Sequence, residues 1–281
     1  EKVAHRHDSL LTEFFAARAA GNREKMWQVF VNAHLRTGNA ITNKLIDDYL
    51  SAVTAGTQSP AAGEALDTLS ELGNLSRDKT GDRFTADIAQ FYRSATASQQ
   101  QTLVEARKDA AAAYDFFNQS KYELAISLSA RARNLFTAIG NHPEALLASF
   151  WIGFCHFWQG NTQTSLSITE PAERECKTRG YTWLRSLLQI GLANGLNKKA
   201  YYSQAVKFAS AAYQSFKDIT DKNGELRSLS VLADLYRILG NYRRALYLAQ
   251  EGRELATEIF ADPSQVIGLY AVSARSLMLL G

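Results

Sequence analysis

Cysteine is nearly missing from this chain of 281 residues: only Cys155 and Cys176 occur. Two such residues make neither a disulfide framework nor a thiolate metal site, and both read as small buried hydrophobes. Proline appears four times, too rarely for a low-complexity linker. No apolar run approaches the ~20 residues of a membrane span, and no signal peptide is visible. One-sided charge is missing too: 31 basic residues face 28 acidic ones, a net charge of +3. That balance, without a block of five like charges, argues against a nucleic-acid partner, which needs a concentrated basic stripe. No glycine loop of the phosphate-cradling kind occurs, and neither cysteine has a histidine at a supporting spacing. His5 and His7 lack a third ligand, so no metal is expected, and no cofactor. Cysteine use does not fix the compartment; the cytoplasm is slightly favoured, and export stays open if a signal preceded Glu1.

What the chain does have is helix-forming composition and a period. Ala, Leu, Arg, Gln and Glu abound and alternating β patterning is scarce, so the fold class is all-α. Four stretches superimpose at a spacing of 40 residues. Ala125, Ser165, Ala205 and Ala245 hold one small-residue slot. Tyr122, Thr162, Tyr202 and Tyr242 precede it; Ala132, Ala172, Ala212 and Gly252 follow it. A fixed period of this size with helical patterning means a solenoid of stacked helix pairs, and such surfaces usually bind.

Residues 1–100 read as an irregular helical region that could hold divergent repeats. Asp8 is expected to cap a helix through about Ala20. Further helices are expected around Met26–Ala33, over Ile41–Ala55, from Pro60, and from Phe84. Five helices do not divide into pairs, so one is expected to be a cap. Residues 101–281 read as about four two-helix units plus one unpaired helix, Gln265 to Leu280. Breaks are expected near Ser120, Gly160, Ala200 and Gly240, with linkers near Gly140, Gly180, Thr220 and Ala261. Pro143 and Pro263 stand where helices should start, which suits proline. Pro171 falls inside a helix and predicts a kink or a break. Leu277, Met278, Leu279 and Leu280 make a poor polar cap, so the array is expected to continue past Gly281.

These residues resemble the tetratricopeptide repeat family at a 40-residue spacing. Leu232-Ala233, Tyr236, Gly240-Asn241-Tyr242 and Ala245 fit its large–small pair, aromatic, turn and second-helix small residue. Leu192-Ala193, Leu196, Tyr202 and Ala205 repeat the theme. Ile152-Gly153, Gly160 and Ser165 follow it more weakly, as do Ala113, Phe116, Tyr122 and Ala125. Thr162 and His156 depart from the pattern. The resemblance implies a right-handed α-α superhelix of antiparallel helix pairs, whose first helices line a groove for an extended peptide or partner helix. It places Tyr114, Phe117 and Asn118 inward in one unit and Phe150, Phe154, Phe157 and Trp158 in the next. Asn194, Asn197 and Lys198 follow, then Arg227, Asp234 and Arg237.

Phe150, Phe154, Phe157 and Trp158 share one helical face by their i, i+4, i+7, i+8 spacing. They form either an aromatic pocket for a partner's apolar anchor or a packing surface filled by the N-terminal helices. Asn194, Asn197 and Lys198 with Arg227 and Arg237 offer amides and cations for an acidic segment. The leading expectation is a protein–protein interaction scaffold that binds a peptide or partner segment, without catalysis. The alternative is a ligand- or peptide-sensing regulatory region gating an effector beyond Gly281, as the family does in bacterial regulators.

Overall fold

The computed structural model describes residues 2–35, 38–55, 60–259, 261 and 263–280; side-chain surroundings are described from residue 9 onward, except at 35 and 264. Five helices come first: α1 (Lys2–Ala19), α2 (Arg23–Asn32), α3 (Ala40–Thr54), α4 (Pro60–Thr80) and α5 (Phe84–Ser94). Nine follow: α6 (Ala97–Asn118), α7 (Tyr122–Ala138), α8 (His142–Trp158), α9 (Thr162–Arg179), α10 (Thr182–Lys198), α11 (Tyr202–Asp218), α12 (Lys222–Ile238), α13 (Tyr242–Glu258) and α14 (Pro263–Leu280). Each helix from α6 onward packs on the next, giving a right-handed α-α superhelix of antiparallel pairs.

The regularity rests on the turns. Left-handed residues recur every 20 positions: Ser120, Gly140, Gly160, Gly180, Ala200, Thr220 and Gly240, with φ between 59° and 84°. After each, the next amide donates back to the last turn of the finished helix, as Asn141 does to the Phe136 carbonyl (2.8 Å) and Asn241 to that of Tyr236 (2.9 Å). This motif satisfies carbonyls that a helix end leaves orphaned. The same residue then starts the next helix; the side chains of Asn141, Asp221 and Asn241 accept from Glu144, Gly224 and Arg244 amides.

Small residues close the joints. Ala125, Ala205 and Ala245 are fully buried, as are Ala193 and Ala233. A Cβ added to Gly153 would lie 2.6 Å from the Thr169 hydroxyl, so α8 and α9 touch backbone to side chain there. Pro171 does not break its helix: α9 runs without interruption from Thr162 to Arg179. Only one i→i−4 bond is lost, and packing of both flanks on α8 and α10 holds the rest.

The first helix begins earlier than expected, whereas α4 and α5 start at Pro60 and Phe84 as expected. Asp8 lies inside α1, which starts at Lys2, because nothing between these residues breaks a helix. A short antiparallel bridge that the sequence did not signal, His34–Leu35 with Gly38–Asn39, links α2 to α3. Asn39 closes it: its amide donates to the Phe30 carbonyl, and its oxygen caps Ile41 and Thr42. His5 and His7 have side chains outside the described set, and Gly281 lies outside it altogether.

The first helices α8, α10, α12 and α14 also pack side by side, which makes theirs the inner, concave side. The N-terminal helices lie on that side: α3 on α6, α5 on α8 and α10, and α2 with its bridge on α12. No helix is long and apolar enough to cross a membrane among the described residues.

A cavity between the N-terminal helices and the array

Polar pins hold the N-terminal helices against the inner face. The Asp82 carboxylate is buried and accepts from the amides of Phe84 (3.1 Å), Thr182 (3.2 Å) and Trp183 (3.1 Å). It therefore caps the starts of α5 and α10 together. Burial pushes its pKa up to about 6, against the pull of those three amides. The Trp183 ring is clasped by His34, stacked at 5.4 Å, and by Phe84 at 5.3 Å. Burial lowers the His34 pKa, favouring the neutral ring. Tyr181 donates to Asp87 at 2.9 Å, and the Arg83 amide to the Gly180 carbonyl at 3.0 Å.

Farther along, Tyr92 of α5 donates to Glu144 of α8 at 2.8 Å. Glu144 is buried and also accepts from Asn141 (2.6 Å) and from Arg107 (2.7 Å). Burial and the Glu144 carboxylate raise the Tyr92 pKa well above its ordinary value. The Arg107 guanidinium reaches both ways: one edge meets Glu144, and the other meets Asp47 of α3 at 3.0 and 3.2 Å. Gln100 of α6 adds a bond to the Tyr49 hydroxyl at 2.8 Å.

Between these pins the helices stand apart and leave a cavity of about 850 Å³. Its apolar walls come from Ile46 and Leu50 of α3, Phe84 and Ile88 of α5, Val104 of α6, and Leu147 and Trp151 of α8. Its polar wall carries Asn43, Asp47, Arg107, Lys108 and Glu144. A concave, mostly apolar space with a few convergent polar groups is the usual form of a ligand site. The Thr42 hydroxyl, in the same lining, has no hydrogen-bond partner among the described residues.

Of the residues named from sequence, Tyr114 lines this cavity, edge-on to Trp151 at 5.4 Å. From there an aromatic ladder leads outward. Phe117 contacts Trp151 (5.4 Å) and Phe154 (5.2 Å); Phe154 stacks on Phe150 (5.6 Å) and meets Trp158 (6.1 Å), which Phe157 also touches. Phe150 is buried in the main core, whereas Trp158 is 52% exposed. The stripe thus divides, with its inner end packed and its outer end open to solvent. Asn118 and Lys198 are exposed at the ends of α6 and α10. Asn194 shares a small cleft with Phe150, Phe154 and Phe157; Asn197 is half-buried nearby on α10. On α12, Arg227 is half-buried and Arg237 pairs with Asp234 at 2.7 Å. None of the α10 or α12 residues reaches the large cavity.

Sequence reasoning missed Asp47, Arg107, Glu144 and Trp151. The available signal was the spacing of Glu144, Leu147, Ala148 and Trp151, a second one-sided stripe on α8 beside the aromatic one. Cys155 and Cys176 are buried and free. Burial pushes the Cys155 thiol up to about 12 and raises that of Cys176, so both stay protonated and poorly nucleophilic. His156 is half-buried, and burial lowers its pKa.

No family model and no curated sequence matches the chain. Among solved structures, the apo form of RapI aligns over 98% of this chain and 86% of its own, at 12% identity and a TM-score of 0.51. A signal-transduction ATPase with numerous domains from Pyrococcus horikoshii, described as having a tetratricopeptide repeat sensor, aligns over 99% of this chain at 14% identity and a TM-score of 0.45. This chain spans 43% of that ATPase. At 12% identity the likeness to RapI is one of fold alone, an all-α superhelix of antiparallel helix pairs.

Proposed function

We propose that this chain is a binding module of the tetratricopeptide repeat type, which receives a peptide or partner segment on its inner face and performs no catalysis of its own. The observation that carries this reading is the cavity of about 850 Å³ between α3, α5, α6 and α8, with its apolar walls and its short polar wall. A volume of that order accommodates a few side chains of an extended segment. The ladder from Tyr114 and Trp151 to Trp158 supplies a continuous aromatic track from the cavity to solvent, suited to apolar anchors. In this reading residues 1–100 close the inner face and residues 101–281 form the repeat array at a 40-residue period. Asn194, Asn197, Lys198, Arg227, Asp234 and Arg237 extend the inner face beyond the cavity as secondary contacts.

A second reading, a sensing region that passes occupancy on to an effector, is favoured by the way α3 meets α6. One of their polar contacts, Asp47 with Arg107, lies in the cavity wall itself, so a ligand there perturbs the docking of the N-terminal helices.

Phage-displayed peptides selected on the wild-type chain test the module. Ala111→Trp places an indole at the cavity wall from an exposed helix position, so the fold tolerates it. Selected peptides should lose at least about tenfold in affinity on this variant, and Phe154→Ala/Trp158→Ala should weaken those that use the ladder. Equal affinity for the filled variant removes the cavity from the interface.

A further inference from the structure

Within the cavity the two carboxylates on Arg107 are not equivalent. Glu144 is fixed: its side chain is 6% exposed, and Tyr92, Asn141 and Arg107 all donate to it. Asp47 has 62% of its side chain exposed and holds Arg107 through one oxygen, Oδ1, shared between Nε and Nη2. The outer edge of the guanidinium is thus a fork built for a bidentate carboxylate but met by one solvated carboxylate oxygen, with the Asn43 amide oxygen accepting a long 3.4 Å bond from Nη2. Asp47 itself is solvated, and Arg107 keeps its bond to Glu144 when Asp47 is replaced, so the replacement costs little. Lys108, exposed in the same wall, makes no ion pair among the described residues and adds a second cation. The same cavity is lined by the apolar side chains of Ile46, Leu50 and Val104, neighbours of Asp47 and Arg107 on α3 and α6.

We propose that the cavity takes a ligand with an apolar body and one acid group, and that this acid replaces Asp47 on the outer edge of Arg107. Asp47 holds the place of the ligand's acid, and Glu144 keeps the guanidinium aimed while the exchange takes place. The proposal rests on the cavity being the binding site and adds the chemical class of what it binds.

Two fluorescent probes that share an aromatic body separate these claims: anilinonaphthalene sulfonate, which carries an acid group, and phenylnaphthylamine, which does not. The full chain should bind the sulfonate at one saturable site and about tenfold more tightly than the amine, as a charge-assisted bond in a sheltered site allows. Asp47→Asn removes the competing carboxylate and should tighten sulfonate binding several-fold (~3–10-fold) while leaving the amine unchanged. Arg107→Gln should erase the preference; if that variant does not fold, Asp47→Asn carries the test alone. Octanoate and an acetylated, amidated leucine–leucine–aspartate peptide then compete for the site. Displacement by octanoate alone assigns it to free organic acids, and displacement by the peptide alone to a peptide carboxylate; either supports the proposal. Equal binding of both probes, unmoved by Asp47→Asn, overturns the acid claim and leaves the cavity as an apolar site. Failure of both probes to saturate overturns the cavity reading as well.

Discussion

Replacing Asp82 by alanine should loosen the N-terminal helices from the array, with a distinctive dependence on pH. The carboxylate accepts from Phe84 at the start of α5 and from Thr182 and Trp183 at the start of α10, across about 100 residues of chain. Loss of one helix cap costs about 0.5–2 kcal/mol, so two helix starts losing one shared acceptor should cost roughly 2–3 kcal/mol at neutral pH. The pH dependence follows from the carboxyl itself. Its pKa rises from 3.8 to about 6 because burial penalises the charged form, with the nearby Asp87 carboxylate adding to the rise. The folded state therefore holds this proton more tightly than the unfolded state. The stabilisation is fully present below pH 3.8 and is lost as pH climbs through 6. At about 1.4 kcal/mol per unit, the change across this window reaches about 3 kcal/mol. Urea denaturation of wild type and Asp82→Ala between pH 4.5 and 7.5 reads it directly. The destabilisation caused by the substitution should grow as the solution is made more acid. A difference that is flat, or that shrinks toward acid pH, refutes the burial-raised carboxyl, and no difference at neutral pH refutes the shared cap.

Thr220 is a β-branched residue held at φ 59°, where side chains strain the backbone, so Thr220→Gly should raise stability by about 0.5–1 kcal/mol in thermal denaturation. Gly224 behaves oppositely: an added Cβ would sit 2.2 Å from the Phe216 ring, so Gly224→Ala should lower stability by about 1–3 kcal/mol and shift the urea midpoint down. Ala205→Leu overpacks a fully buried joint between α10 and α11 and should cost about 1–3 kcal/mol by the same assay. Trp158→Ser, at the open end of the aromatic ladder, should change thermal stability by under about 0.5 kcal/mol, since the ring is 52% exposed.

The repeat array was legible because its physics repeats. Ala125, Ala205 and Ala245 sit at one phase, and all three prove fully buried at helix joints. Breaks near Ser120, Gly160, Ala200 and Gly240 become left-handed turn residues, the position where a helix end needs one. The N-terminal helices were legible as elements, through Met26, Trp27 and Phe30 or Leu45, Ile46 and Tyr49, but not as a docked layer. Docking depends on pairs such as Asp82 with Trp183, Tyr92 with Glu144 and Asp47 with Arg107, each made once and far apart in the chain. No periodicity marks such a pair, and a lone acid at a helix start reads the same whether it caps one helix or two. The aromatic stripe of α8 illustrates the limit. Its spacing fixed a common face, yet only the three-dimensional arrangement separates buried Phe150 from exposed Trp158.

Hydrogen exchange with and without a selected peptide tests most directly whether the space between the N-terminal helices and the array is where binding occurs. Added protection should concentrate in α3, the middle of α6 and the first turns of α8, the segments that wall the cavity. Protection confined to α9, α11 and α13, which line the opposite side of the superhelix, would contradict the account.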